Sequence, residues 1–134
     1  MNRPATVRKA GTWRSEEAAA SHRLAIATGI ETIAKQLMEL LGRDLATRAV
    51  GLTDRKALAR YAAGERKPQA ETERRMRDAY LVVRLLADYD SPEVVVPWLR
   101  GMNPDLGDGS PIDYLHDGDA VSVAQAAEAF LLGG

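Results

Sequence analysis

Between Thr53 and Lys67 the chain gathers Arg55, Lys56, Arg60, Arg66 and Lys67. Guanidinium and ammonium groups this close together suit one chemistry above others. They neutralise phosphates, and an arginine can also donate two hydrogen bonds to a guanine edge. Signals for bond-breaking chemistry are missing. His22 and His116 are the two histidines, and neither has a ligand cluster nearby. Without cysteine there is neither a disulfide nor a thiolate zinc site. Asp105, Asp108 and Asp113 fail as a calcium loop, because Gly107 and Gly109 stand where oxygen ligands are needed. The GDG at 107–109 lacks the lysine of a phosphate loop. No nucleophile elbow or metalloprotease helix occurs. Asp117 and Asp119 suit helix capping better than a catalytic pair. With no convergent titratable cluster, an enzyme is not expected, and no cofactor or metal is assigned.

Helices must position these groups. Apolar residues make up 46% of the 134 and aromatics 5%, so Leu, Val, Ile and Ala build the core, and an all-α fold is expected. The length suits one domain or two small helical modules sharing a core. Residues 1–14 read as a flexible arm. Ser15 with Glu16 and Glu17 starts a helix that runs to about Ala27. Thr28 and Glu31 form a capping box for a second helix, with Ile30, Ile33, Ala34, Leu37 and Leu41 on one stripe and Gly42 at its end. A short helix with Leu45, Ala46 and Ala49 inward breaks at Gly51. Another runs from Asp54 to about Ala63, capped by Thr53, with Ala57, Leu58 and Tyr61 inward and Arg55, Lys56 and Arg60 outward. Gly64 and Pro68 mark a loop. A long helix then spans about Ala70 to Ala87, with Met76, Ala79, Tyr80, Val83 and Leu86 inward. Asp90-Ser91-Pro92-Glu93 reads as a cap with proline in the first turn, but Pro97 inside that helix would cost a hydrogen bond, so the start is left open between Pro92 and the neighbourhood of Pro97. Pro111 opens one further turn, and a last helix carries Val123, Ala124, Ala127, Phe130 and Leu131.

The net charge of −1 hides a polarity. Residues 1–42 carry six basic and four acidic side chains, 43–84 eleven and six, and 85–134 one and nine, giving +2, +5 and −8. A basic middle and an acidic tail suggest two surfaces with different partners, the acidic one turned away from DNA. No apolar run approaches a membrane span and the N-terminus is not a secretory signal, so a cytoplasmic protein is expected.

Two short helices around a glycine turn, the second basic, form the recipe for reading a major groove. The stretch LATRAVGLTDRKALARYAAGERKP resembles the Xre-type helix-turn-helix family through Ala46, Gly51, Leu52, Thr53, Leu58, Tyr61, Gly64 and Pro68. The interval from Gly51 to Leu58 is one residue longer than the usual pattern. Arg55 and Arg60 are assigned to base edges, Arg66 and Lys67 to phosphates, and Thr53 and Lys56 complete the DNA-binding set.

The order Trp98-Leu99-Arg100, Asn103-Pro104, Leu106-Gly107, Gly109, Pro111-Ile112-Asp113, Leu115, Gly118 resembles the toxin-binding domain of the Xre/MbcA/ParS antitoxins. The resemblance implies a helix-turn-helix domain over 15–87 and a small helical toxin-binding module over 88–134. It also implies a RES-type, NAD-degrading toxin as partner, with repression of the shared operon through operator DNA. The partner-binding residues it suggests are Trp98, Arg100, Asn103, Pro104, Pro111, Phe130, Leu131, Leu132, Gly133 and Gly134. Phe130 and Leu131 could equally close the core or enter a partner's cleft. A dimer or higher oligomer is expected, with the second and the long helices as its interface. The alternatives are a stand-alone or prophage-type repressor without a toxin, and a protein-interaction adaptor that no longer binds DNA.

Overall fold

A computed structural model describes residues 15–133; the expected N-terminal arm and Gly134 lie outside them. Among the described residues the fold is all-α, with no strand. The helices are α1 (Glu16–Ala27), α2 (Ile30–Leu41), α3 (Arg43–Val50), α4 (Ala57–Ala62), α5 (Ala70–Tyr89), α6 (Pro92–Arg100), α7 (Pro111–His116) and α8 (Ala120–Leu131). A 3₁₀ turn, Pro104–Leu106, lies between α6 and α7.

Local chemistry sets most boundaries. Ser15 caps α1, its hydroxyl accepting from the Ala18 N–H at 3.0 Å. Gly42 and Gly51, at φ +79° and +75°, end α2 and α3 in backbone conformations that side chains resist. Asp119 caps α8 through the Ser122 N–H, as its position before an alanine-rich run suggests. The capping box at Thr28 and Glu31 does not form. Thr28 belongs to the end of α1, where its hydroxyl donates to the Leu24 carbonyl at 2.7 Å, and Gly29 precedes α2 with no side-chain cap.

Helix α5 organises the core. It packs against α1, α2, α3, α6 and α8, and buries Met76, Ala79–Val83, Leu85 and Leu86. Burying such aliphatic side chains stabilises by about 1.5–3 kcal/mol each. One core cluster takes residues from every α-helix, from Ala18 of α1 to Ala127 of α8. The segments 15–87 and 88–133 thus bury their apolar faces against each other. The stripes of α2 and α5 face into this single chain. The exposed large apolar residues are instead Leu24, Ile26, Tyr89, Met102, Val121, Phe130 and Leu132.

Pro97 lies inside α6 rather than at its start. Ser91 and Pro92 begin the helix, and Val95 and Leu99 bury its inner face. Pro97 is exposed and sixth in the helix. Its missing N–H forfeits a single bond, to the carbonyl of Glu93, and burial of Val95 and Leu99 outweighs that. Among the described residues no helix is long and apolar enough to cross a membrane.

Candidate nucleic-acid interface

The stretch from α3 to the start of α5 carries seven basic and three acidic residues over 43–67. Helix α4 is held by Ala57, Leu58 and Tyr61, all buried, and packs on α2. Helix α3 buries Leu45, Ala46, Ala49 and Val50 and packs on α2 and α7. Two braced helices therefore present the turn between them to solvent.

That turn differs from expectation. Asp54, not Thr53, supplies the oxygen at the helix start: its carboxylate accepts from the Lys56 N–H at 2.9 Å. This Asx turn competes with helical hydrogen bonding, so the helix begins at Ala57, and Arg55 and Lys56 lie in the turn instead of on the helix face. Thr53 is exposed and makes no cap. At the other end Gly64, at φ +73°, lets the Glu65 N–H return to the Arg60 carbonyl, which fixes the start of the loop that carries Arg66 and Lys67.

The cations divide by their partners. Arg55 donates from Nε to Asp44 Oδ1 at 2.6 Å, tying the turn back to the start of α3. Arg66 lies 4.0 Å from Asp54. Lys56, Arg60 and Lys67 are exposed and make no ion pair among the described residues. Arg43, which sequence reasoning did not select, is in the same state. Its signal was its place directly after Gly42, at the solvent-facing start of a helix. The paired guanidiniums remain mostly exposed, and such surface pairs are worth about 0–1 kcal/mol.

Much of the basic surplus is elsewhere. Arg75 of α5 donates from one terminal nitrogen to the carbonyls of Leu115 and His116, at 2.7 and 2.6 Å, where α7 ends. Its head also fills the space beside Gly51, where an added Cβ would lie 2.2 Å from Nη1. Arg77 donates to the carbonyls of Ala25, Ile26 and Thr28 at the end of α1. Arg84 pairs with Asp88, and Tyr80 donates to Gln36 Oε1 at 2.6 Å. Arg75 and Arg77 thus bind helix ends, which carry partial negative charge.

The acidic segment does not stand clear of this region. Helix α7 packs on α3, and Arg48 pairs with Asp113 at 2.7 Å. The hydrogen bond from Arg48, with a second from Ser110, holds the Asp113 carboxyl below its ordinary range. On α5, partial burial raises the Asp78 carboxyl even though Arg74 lies beside it.

The expected partner-binding residues separate into scaffold and surface. Asn103 is buried: its side chain accepts from the Asp105 N–H at 2.9 Å, and its own N–H donates to the Gly109 carbonyl. Pro111 is buried at the start of α7. Both shape the loop from within. Tyr114 closes the loop by donating to the Leu106 carbonyl at 2.8 Å. Trp98 is half-buried against the core, with its ring 6.2 Å from that of Phe130. Phe130 and Leu132 are 38% and 39% exposed while Leu131 turns inward. Leu131 thus helps to close the core, while Phe130 and Leu132 remain at the surface. Arg100, Pro104 and Gly133 are exposed. Between the loop and α8 opens a cleft of about 480 Å³, bordered by Asp105, Tyr114, Ser122 and Gln125.

Comparison with protein-family models, with curated proteins and with solved structures finds no match for this chain.

Proposed function

We propose that this protein is a non-enzymatic DNA-binding regulator of the Xre/MbcA/ParS antitoxin type, acting in the cytoplasm. Its α3–α4 unit meets operator DNA and its C-terminal part binds a RES-type toxin. The observation that carries the DNA-binding half is the set Lys56, Arg60 and Lys67. These cations project, without acidic partners among the described residues, from a turn, helix and loop that the core holds in place. Unpaired exposed cations are what counterion release requires. Arg60 on α4 is the candidate for a base edge, and the turn and loop cations are candidates for phosphates. The partner-binding half rests on the residue order from Trp98 to Gly118. Met102 within that stretch and Phe130 and Leu132 after it are exposed apolar residues, and the Phe130 ring lies 6.2 Å from that of Trp98.

The test of the DNA-binding half is gel-shift titration over the DNA upstream of the protein's own gene, at several salt concentrations. The variant Lys56→Gln/Arg60→Gln/Lys67→Gln should lower the slope of log affinity against log salt by about 0.9 for each phosphate that is no longer neutralised. An unchanged slope and affinity would remove this surface from the mechanism. For the partner half, co-expression with the product of a neighbouring RES-type gene should restore growth. Phe130→Ser/Leu132→Ser should abolish that rescue while leaving the gel shift intact.

A further inference from the structure

Where the ends of α5 and α8 meet the start of α1 lies a cleft of about 150 Å³, bordered by Ser15, Glu17, Tyr89, Glu128, Leu131 and Leu132. Glu128 forms part of its wall and is 3% exposed. Its Oε2 is sealed from solvent and accepts no hydrogen bond. The neighbours of Glu128 on the buried face of α8 are Val123, Ala124 and Ala127, so an apolar side chain at 128 would continue that face. A carboxylate there is a burden on folding, and it is tolerated where a cation completes the site.

The walls of the cleft select the kind of cation. Calcium takes roughly six to eight oxygen ligands. Here Glu17 and Glu128 are joined only by the Ser15 hydroxyl, which already accepts from the Ala18 N–H. Among the described residues no three acids or histidines gather as a metal would need. The remaining walls are Tyr89, Leu131 and Leu132, an aromatic ring and two aliphatic side chains. An aromatic face attracts an ammonium, and aliphatic surface covers a hydrocarbon stem. Tyr89 and Leu132 also belong to the C-terminal ends of α5 and α8, poles of partial negative charge. Neither helix has a basic residue in its last turn to answer its pole. The volume is below the range of about 300–1,000 Å³ that takes larger organic ligands.

We propose that this cleft binds the ammonium group of a short-chain alkyl amine, with Glu128 as its counter-ion. Glu17 is a second acceptor at the rim, and Tyr89, Leu131 and Leu132 surround the hydrocarbon chain. Because the site is assembled from three helices, the amine binds the folded chain alone and stabilises it. Neither DNA nor a toxin is needed, so the site stands or falls apart from the function proposed above.

The test is calorimetric titration of the full chain with n-butylammonium chloride at constant ionic strength, beside thermal unfolding. One saturable site is expected, and at ten times the dissociation constant the melting temperature should rise by about 5 °C. 1-Butanol carries the same stem without the charge and should bind roughly tenfold more weakly. Glu128→Gln keeps the shape and removes the charge, and it should weaken the amine by roughly tenfold. No saturable binding by either measurement overturns the proposal. Equal binding of butanol and butylammonium would make the cleft an apolar cavity and overturn it as well. So would an amine affinity that survives Glu128→Gln, or displacement of the amine by magnesium at equal ionic strength. If Glu128→Gln does not fold, Glu17→Gln and Tyr89→Ala decide, since both residues are exposed at the rim. Each should weaken the amine by about threefold, and an unchanged affinity in both overturns the site.

Discussion

The arginines of α5 and the cations between α3 and α5 are the same residue types with opposite surroundings. On α5, Arg75 and Arg77 point at carbonyls that end α7 and α1, and Arg84 pairs within its own helix. In the turn, on α4 and in the following loop, Lys56, Arg60 and Lys67 face solvent with no acidic partner among the described residues. Net charge by segment treats both groups as one basic surface. Partners distinguish them: a cation bonded to two carbonyls holds helices together, and an unpaired one remains available to a polyanion. The electrostatic footprint is therefore smaller than eleven basic residues over 43–84 suggest.

The sharpest way to break this comparison is Arg75→Ala. Hydrogen bonds from a charged donor contribute roughly 1.5–3 kcal/mol. One Arg75 nitrogen makes both of its bonds, to the Leu115 and His116 carbonyls, and the Leu115 carbonyl keeps the Gly118 N–H. Urea unfolding should therefore show a loss of about 2–4 kcal/mol, less than two independent bonds would give. If stability is unaltered, Arg75 belongs with the surface cations and the division fails.

Gly51→Ala should cost less, about 1–2 kcal/mol for a left-handed backbone with a side chain. It also displaces the Arg75 head, which lies within 2.6 Å of the new Cβ. The two substitutions should therefore couple, the double variant losing roughly 1 kcal/mol less than the sum. Strict additivity in the same unfolding experiment would mean the two sites are independent.

Among the surface cations the effect on stability should stay within about 0.5 kcal/mol, and the distinction moves to DNA. Arg60→Gln should weaken gel-shift affinity more than Arg55→Gln, because Arg55 already shares its guanidinium with Asp44. Equal losses would show that the Asp44 pair yields to phosphate on binding.

The smallest effect concerns acid stability. Asp113 is held below the ordinary aspartate value of 3.8 by Arg48 and Ser110. The folded state keeps this group ionised at pH values where the unfolded chain has begun to bind a proton. Its contribution is present above 3.8 and is lost as pH falls through the lower folded value. Asp113→Asn should flatten the acid limb of the stability curve below that point. Asp78, raised by burial, acts in the opposite direction: the folded state holds its proton to higher pH, so its contribution declines as pH rises above the ordinary value. A titration of unfolding free energy in both asparagine variants should show limbs of opposite sign.

Local chemistry made much of this fold legible in the sequence. Ser15, Gly42, Gly51 and Gly64 end or begin helices for reasons contained in a few neighbouring residues, and the apolar stripes of α2, α5 and α8 mark their inner faces. The all-α class and the burial of Leu37, Leu58 and Met76 follow from composition and spacing alone. Tertiary structure decided the rest. Pro97 could enter α6 only because Val95 and Leu99 have a core to fill. Asn103 became scaffold because the loop folds back on its side chain. The α4 start moved to Ala57 when Asp54 took the Lys56 N–H. Arg75 and Glu128 show the limit most clearly. A charged residue declares its sign in the sequence, but its role depends on what lies within about 3 Å of it, and residues tens of positions away supply those neighbours.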